Sequence, residues 1–474
     1  VEAAMLRVAE DVARKFRSQP SFRGITWTPY YGGDWLPGYR SGYHNRRDPL
    51  AASYDDVTVA LFERDTGITV PGDRGDPDRF GKRYAFLMSA KLKDLWIQWR
   101  CEKIRAFFGK VVDRIGRERD GLGCLVVPKF YVPHDREWKA SSLPLRDYMR
   151  LSGWDPSLYH DRDHLWMVHY THATLKYEPA FGRKGYAVGW EQSVNPEFYE
   201  LYGADTRRAA MVLHHWIEVE RVAFTLPERE GWPRSFQSTM QAQASGPNAR
   251  EPFIQALIGG DPELFLFGFS HVILMVGDEQ PLRDFARVLR SLPRRKFSPV
   301  MDAGLQSNLA IRDLEGDGAY TFYVANPGYW PIRGTVALEN GGAVVDLTTG
   351  GRIDARLEGE MTVVPVALEP YGISAYRVDD ARAKVVSWGT NPVAKDDLTH
   401  MREILDRAES LLTDPRVVKA LPEGDRKLVR DSIESARADL ADGQYARAWS
   451  TITHWRFWTL VRQEMERAAA VSPQ

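Results

Sequence analysis

The first 293 residues alternate between amphipathic segments and short apolar runs. In the segments apolar residues recur every three or four positions, which predicts helices, and five runs between them have the length of buried strands. These runs are FRGITW (22–27), LGCLVVPKFY (122–131), HLWMVHYTH (164–172), AAMVLHHWIE (209–218) and LFLFGFSHVILMVGDE (264–279). Strands that alternate with helices are typical of a parallel α/β fold.

The chain begins without Met, inside a predicted helix (VEAAMLRVAEDVARKF), which indicates that an N-terminal part is absent. If three strands precede this start, the five runs are the fourth to eighth strands of a (β/α)8 TIM barrel. We therefore expect residues 1–303 to form a partial (β/α) barrel.

The pattern changes near residue 308. Short alternating runs such as YTFYVANP and MTVVPVALEPYGISAYRV, separated by Gly, Asn and Pro, predict a small antiparallel β-sandwich over residues 304–380. Apolar residues spaced by three and four then predict a helical hairpin or small bundle over residues 390–470.

Charge and composition narrow the class of partner. The chain has 63 Lys and Arg against 64 Asp and Glu, so it offers no net positive charge for nucleic acid or an acidic membrane surface. No apolar run reaches the roughly 18–20 residues of a membrane span. The 15 Trp, 20 Tyr and 20 Phe suit a carbohydrate ligand, whose apolar faces stack on rings, although a large aromatic core is the alternative explanation.

Metal and cofactor chemistry have little support in the sequence. Cys101 and Cys124 form no CxxC pair and are expected to be reduced core residues. The four histidines at 169, 172, 214 and 215 lie in no HEXXH or HxH motif, so we predict no metal and no cofactor.

Every predicted strand ends in polar, titratable or aromatic residues. In barrels the reacting groups lie at the carboxyl ends of the strands, so these residues are candidates for one shared cleft. The candidates at strand ends are Tyr31, Asp34, Trp35, Tyr131, His169, His172, His214, Trp216 and Glu218, and Trp190 and Glu191 follow in the loop VGWEQ.

Two other acidic pairs have a simpler explanation. Asp55 and Asp56 begin the predicted helix DDVTVALFERDTG, and Asp278 and Glu279 precede another. Acids at these positions cap a helix and are stabilised by its dipole. A catalytic role for Asp55 and Asp56, beside an aromatic-rich loop, is the alternative.

Glu218 is the strongest candidate acid because strand side chains alternate between faces. In a strand through LHHWIE, His214, Trp216 and Glu218 share one face, which suits a pocket wall better than a core. Hydrolysis of a glycosidic bond needs two carboxyl groups, and Asp34 is the best local candidate for the second. A structural ion pair remains the alternative for Glu218.

Three segments resemble bacterial proteins of the family-10-like glycosyl hydrolase group: YDDVTVALFERDTGITVP, RYAFLMSAKLKDLWIQWRCEKI and FGFSHVILMVGDEQPLRDFARVLRSLP. The ending VANPGYWPIRGTVAL is similar to the β-domain of many such hydrolases. The resemblance implies carboxylates at the ends of the fourth and seventh strands, and the seventh-strand position falls at Glu218. FRGITWTPYY has no Asn-Glu or Asp-Asp at its end, so the nearest acid for the fourth strand is Asp34.

The sequence thus predicts a carbohydrate-active hydrolase, for which the resemblance favours a secreted or periplasmic location. Tyr31, Trp35, Trp190 and Trp216 are the expected sugar platforms. Two other classes stay open: a non-catalytic carbohydrate-binding or scaffold protein on the same fold, and a metal-dependent hydrolase such as a deacetylase.

Overall fold

The chain divides into two compact units, each with its own hydrophobic cores: Val1–Tyr170 with Glu200–Tyr202, and Thr171–Tyr199 with Gly203–Gln474. The computed structural model describes residues 2–27, 50, 53–128, 143–172, 201–204, 207–214, 250–267, 279–300, 308–316, 318–453, 457 and 460–461.

The first unit alternates helices with parallel strands. Its elements in chain order are α1 (Glu2–Phe16), β1 (Gly24–Trp27), α2 (Asp56–Thr66), α3 (Arg79–Leu87), α4 (Lys93–Glu118), β2 (Gly123–Val126), α5 (Leu145–Leu151), a 3-10 helix (Pro156–Tyr159) and β3 (Leu165–His172). β2 pairs in parallel with both β1 and β3, with Gly24 opposite Gly123 and Cys124 opposite Leu165. The parallel α/β class predicted from the alternation is confirmed here.

The long helix α4 is the main packing partner in this unit. It packs along α1 and contributes Trp96 and Trp99 to an aromatic core. Their ring centroids lie 5.3 Å apart, and the rings of Phe62 and Trp96 are nearly perpendicular with centroids 5.1 Å apart. Part of the aromatic excess therefore fills cores, as the alternative explanation for the composition requires.

The second unit combines two further parallel strands with two antiparallel sheets and a set of helices. Its elements are β4 (Ala210–His214), α6 (Glu251–Gly260), β5 (Leu264–Phe267), α7 (Glu279–Ser291), β6 (Ser298–Pro299), β7 (Ala310–Gly316), β8 (Ala319–Ala325), β9 (Ile332–Glu339), β10 (Val344–Asp346), β11 (Arg356–Glu358), β12 (Met361–Leu368), β13 (Ile373–Val378), β14 (Lys384–Thr390), α8 (Lys395–Thr413), α9 (Pro415–Ala420), α10 (Glu423–Ala441) and α11 (Tyr445–Ile452). β4 and β5 are parallel, with Ala210 opposite Leu264.

The antiparallel strands form one sheet in the order β10-β13-β8-β7-β6 and another in the order β11-β12-β9-β14. β8 lies inside the first sheet, and all seven of its residues are buried. Tyr320, Phe322 and Val324 face a core shared with the second sheet, whereas Tyr323 and Ala325 face a core formed with α6 and α7. The first sheet is thus covered on both faces, because alternate residues of a strand point to opposite sides.

The C-terminal helices are part of the same core. Met401 and Leu405 of α8 and Val429 of α10 belong to the cluster that also contains residues of both sheets. Within the second unit, the described residues of these helices therefore share one core with residues of both sheets.

A buried polar network holds the amino-terminal ends of β4 and β5. Arg208 pairs with Asp261, whose carboxylate also accepts hydrogen bonds from the Phe297 backbone N–H at 2.9 Å and the Tyr323 hydroxyl at 3.0 Å. Arg312 of β7 donates to the carbonyl of Ile258 at 2.7 Å and so caps the carboxyl end of α6.

Candidate functional site

The carboxyl ends of β1 to β4 lead into segments that carry predicted site residues. In a pair of parallel strands these ends lie at one edge of the sheet, as they do where Trp27 lies opposite Val126 and Leu213 opposite Phe267. The segments that follow β1 to β5 are 28–49, 129–142, 173–200, 215–249 and 268–278, and all lie outside the described residues.

Most of the candidate residues lie in the first four of these segments. Tyr31, Asp34, Trp35, Tyr131, Trp190, Glu191, Trp216 and Glu218 are outside the described residues. The backbones of His169 and His172 lie in β3, and that of His214 lies at the end of β4. The structure thus places three of the candidates on strands and leaves the carboxylate pair of Glu218 and Asp34 as a prediction.

Trp27, the last residue of β1, packs against the long helix α4. Its indole meets the rings of Phe107 and Phe108 of α4, with centroids 5.7 and 6.1 Å away. Trp27 therefore belongs to the contact between the strand and the helix layer.

Asp55 and Asp56 have the structural roles that the simpler explanation gives them. The Asp55 carboxylate accepts hydrogen bonds from the backbone N–H groups of Val57 and Thr58, at 3.1 and 3.0 Å, and caps α2. Burial acts to raise the pKa of Asp55, but the hydrogen bonds from Thr58 and Val57 hold it below its usual value. Asp56 forms an ion pair with Arg83 at 2.8 Å.

The two cysteines are buried and free of disulfides. Burial raises the pKa of each thiol to about 12, so neither supplies a thiolate near neutral pH. Among the described residues no group of three or more His, Cys, Asp or Glu side chains could hold a metal ion. In the same part of the chain, no helix is long and apolar enough to cross a membrane.

Solved structures similar to this chain include glycoside hydrolases. The family 30 subfamily 8 xylanase Xyn30A from Clostridium acetobutylicum is 10% identical, with 59% of this chain and 72% of that chain covered and a TM-score of 0.27. AmyP in complex with maltose is 12% identical over 78% of each chain, with a TM-score of 0.36. An α-amylase from Geobacillus thermoleovorans complexed with acarbose is 10% identical over 79% of this chain and 80% of that chain, with a TM-score of 0.35.

No protein-family model matches the chain, and no curated protein matches it.

Sequence reasoning missed a polar cluster at the start of α6, the helix that follows the segment 215–249. Glu251, at the first position of the helix, is buried, and so is Tyr371, in the turn between β12 and β13. A signal was present in the sequence: Glu251 precedes a proline at a helix start, and Tyr371 stands between Pro370 and Gly372.

Proposed function

We propose that this chain is a glycoside hydrolase in which Glu218 acts as nucleophile or base and Asp34 as acid. The observation that carries the proposal is the position of β4. This strand runs parallel to β5 and ends at His214, so its carboxyl end leads directly into the residues Trp216 and Glu218. We further propose that the parallel strands belong to a (β/α)8 barrel, in which the carboxyl ends of the strands carry the reacting groups.

The chemistry requires one protonated and one ionised carboxyl group on either side of the scissile bond. Asp34 follows β1 as Glu218 follows β4, and both strands belong to parallel pairs. Tyr31, Trp35, Trp190 and Trp216 would stack on sugar rings, and Tyr131, His169, His172, Glu191 and His214 would bind sugar hydroxyls.

The test compares two glutamates that are two residues apart. Release of reducing ends from a panel of soluble oligo- and polysaccharides is measured for the wild type, Glu218→Gln and Glu220→Gln. Loss of an acid or base should lower the rate at least about 100-fold in Glu218→Gln, whereas Glu220→Gln should stay within a few-fold of the wild type.

Unfolding curves of the variants establish that both are folded. Full activity in a folded Glu218→Gln variant contradicts the assignment. Binding of a polysaccharide by the wild type without any cleavage would instead favour the carbohydrate-binding protein on the same fold.

A further inference from the structure

The helix α7 carries a row of arginines on the side opposite its core face. Its core face packs through Phe285 and Val288 into the cluster that it shares with α6 and the first antiparallel sheet. Successive residues of a helix are about 100° apart, so Arg283, Arg287 and Arg290 project from the opposite side. All three are exposed. We call these three residues the arginine row.

The stretch that contains the row is basic, although the chain as a whole is not. Residues 283–296 include six Lys and Arg side chains but one acid, Asp284, whereas the whole chain has 63 basic against 64 acidic residues. Asp284 lies 3.4 Å from Arg287, and Arg294 pairs with Glu263 at 3.1 Å. Even with Glu263 counted, the basic side chains exceed these two acids by four. The positive charge of the chain is therefore concentrated on this part of its surface.

Neighbouring arginines of the row repel each other. Arg283 and Arg287 are four residues apart and Arg287 and Arg290 are three apart, spacings at which like charges destabilise a helix. An exposed helix face whose task is solubility can instead pair opposite charges. On α10, Lys427 pairs in this way with Asp431, four residues later, at 2.6 Å. A bound polyanion would remove the repulsion on α7, which solvent alone only screens.

The spacing of the row selects the kind of polyanion. Guanidinium groups bind carboxylates and phosphates through paired donors. At a rise of 1.5 Å per residue, the row offers about one positive charge every 5 Å along the helix. Duplex DNA carries one negative charge per roughly 1.7 Å, and a chain with a net charge of −1 would repel the excess. A polyuronate, with one carboxylate per sugar, has a much lower charge density and suits the row better.

A membrane suits this surface less well. A helix that lies in a lipid interface buries an apolar face among the lipids. Phe285 and Val288 of α7 are instead buried in the protein core, and none of the described side chains of this helix is a large exposed apolar one. The described surface of α7 therefore offers charge without an apolar face for lipid.

We propose that the outer face of α7 binds an anionic polysaccharide through contacts of the arginine row with uronate carboxylates. The choice of a sugar polymer rests on the proposed function, whereas the positive surface itself does not. The site keeps the protein on a long polymer between cleavage events, and it needs neither Glu218 nor Asp34 for binding.

Titration with soluble polygalacturonate at low ionic strength measures the binding, and fully methyl-esterified polygalacturonate is the uncharged counterpart. The double variant Arg287→Gln and Arg290→Gln should bind polygalacturonate at least about tenfold more weakly than the wild type. The matched control is Arg333→Gln with Arg356→Gln, because these exposed arginines of β9 and β11 change the net charge equally. The control should stay within about twofold of the wild type, whose affinity should fall as salt is added.

Unfolding curves show that both double variants are folded, and the row variant should be at least as stable as the wild type because repulsion is removed. The proposal is overturned if the wild type does not bind polygalacturonate, if the esterified polymer binds as tightly, or if the control loses as much affinity as the row variant. It is also overturned if the row variant loses affinity for duplex DNA or for phosphatidylserine vesicles but keeps its affinity for polygalacturonate.

Binding and cleavage are measured separately. Loss of polygalacturonate binding in the row variant supports the surface whether or not any sugar polymer is cleaved. If the wild type binds the polymer through the row and releases no reducing ends from any polysaccharide, the proposed function fails and the binding surface stands.

Discussion

The guanidinium of Arg208 and the carboxylate of Asp261 lie 3.0 Å apart, with side chains only 1% and 0% exposed. Arg208 precedes β4 and Asp261 precedes β5, so the ion pair joins the starts of two parallel strands. Arg208 also donates to the carbonyls of Asp261 and Pro262, at 3.1 and 3.0 Å. Because both groups are buried, each depends on the other for compensation of its charge.

Replacing Asp261 by Asn should lower the free energy of unfolding of the second unit by about 3–5 kcal/mol, because Arg208 would remain buried without its counter-ion. Asn suits the test because, like Asp, it tolerates the left-handed backbone at this position, where φ is +44°. Urea denaturation at neutral pH measures the change.

Glu263→Gln provides the control, two residues further along. Its ion pair with Arg294 spans 3.1 Å and is open to water on the arginine side, since the side chains of Arg294 and Glu263 are 55% and 14% exposed. A pair of this kind contributes at most about 1 kcal/mol. Equal losses in the two variants would show that burial does not set the strength of the Arg208 pair.

Gly24 allows the closest approach between β1 and β2. A Cβ atom at this position would lie 1.9 Å from the carbonyl oxygen of Gly123, and its φ is +152°. Gly24→Ala should therefore force the strands apart and lower the free energy of unfolding of the first unit by about 1–3 kcal/mol. Thermal unfolding followed by circular dichroism measures the loss.

The comparison for this variant is Gly116→Ala in α4, where an added Cβ would meet no atom within 4 Å. Alanine is the better helix former, so this change should stabilise the protein by roughly 0.5–1 kcal/mol. If Gly24→Ala is as stable as Gly116→Ala, then β1 and β2 do not approach each other at Gly24 closely enough to exclude a Cβ atom.

Asp65 links stability to pH in the first unit. Hydrogen bonds from Lys103 and then Trp99 lower the pKa of this carboxyl group to about 2, below that of an unfolded Asp near 4. A lowered folded-state pKa means that Asp65 stabilises the protein fully above the unfolded pKa and that this contribution is lost as the pH falls through about 2. Asp65→Asn should therefore flatten the fall in unfolding free energy between about pH 4 and pH 2.

Denaturation with urea at a series of pH values gives this slope. The exposed Asp163, in the turn before β3, supplies the control variant Asp163→Asn, which should keep the wild-type slope. If Asp65→Asn keeps the wild-type slope, protonation of Asp65 does not contribute to the loss of stability at low pH.

The strands of the parallel part could be predicted because each is an apolar run between polar segments. β1 to β5 all lie within the five runs, and β8 lies within YTFYVANP except for its first residue, Ala319. The buried pair Arg208 and Asp261 could not be predicted, since RRAA and GGDPE have the composition of exposed loops. Only the packing of residues 53 positions apart removes these charges from water.

The same distinction applies to the candidate site. The cap at Asp55 could be predicted because it depends on residues within three positions of it. The hydrogen bond from Arg250 to the carbonyl of Pro370 joins residues 120 positions apart, and local pattern carries no information on it. Glu218, Asp34 and the domain limits at 303 and 380 stay predictions.

Because β8 supplies alternate residues to two cores, both of its faces must be packed in the folded unit. A slip of its register by one residue would exchange Tyr320 and Phe322 for Thr321 and Tyr323, and both cores would be filled wrongly at once. Loss of order on one face removes the support for the other. The second unit should therefore melt in a single cooperative transition, with no intermediate that keeps one core and loses the other.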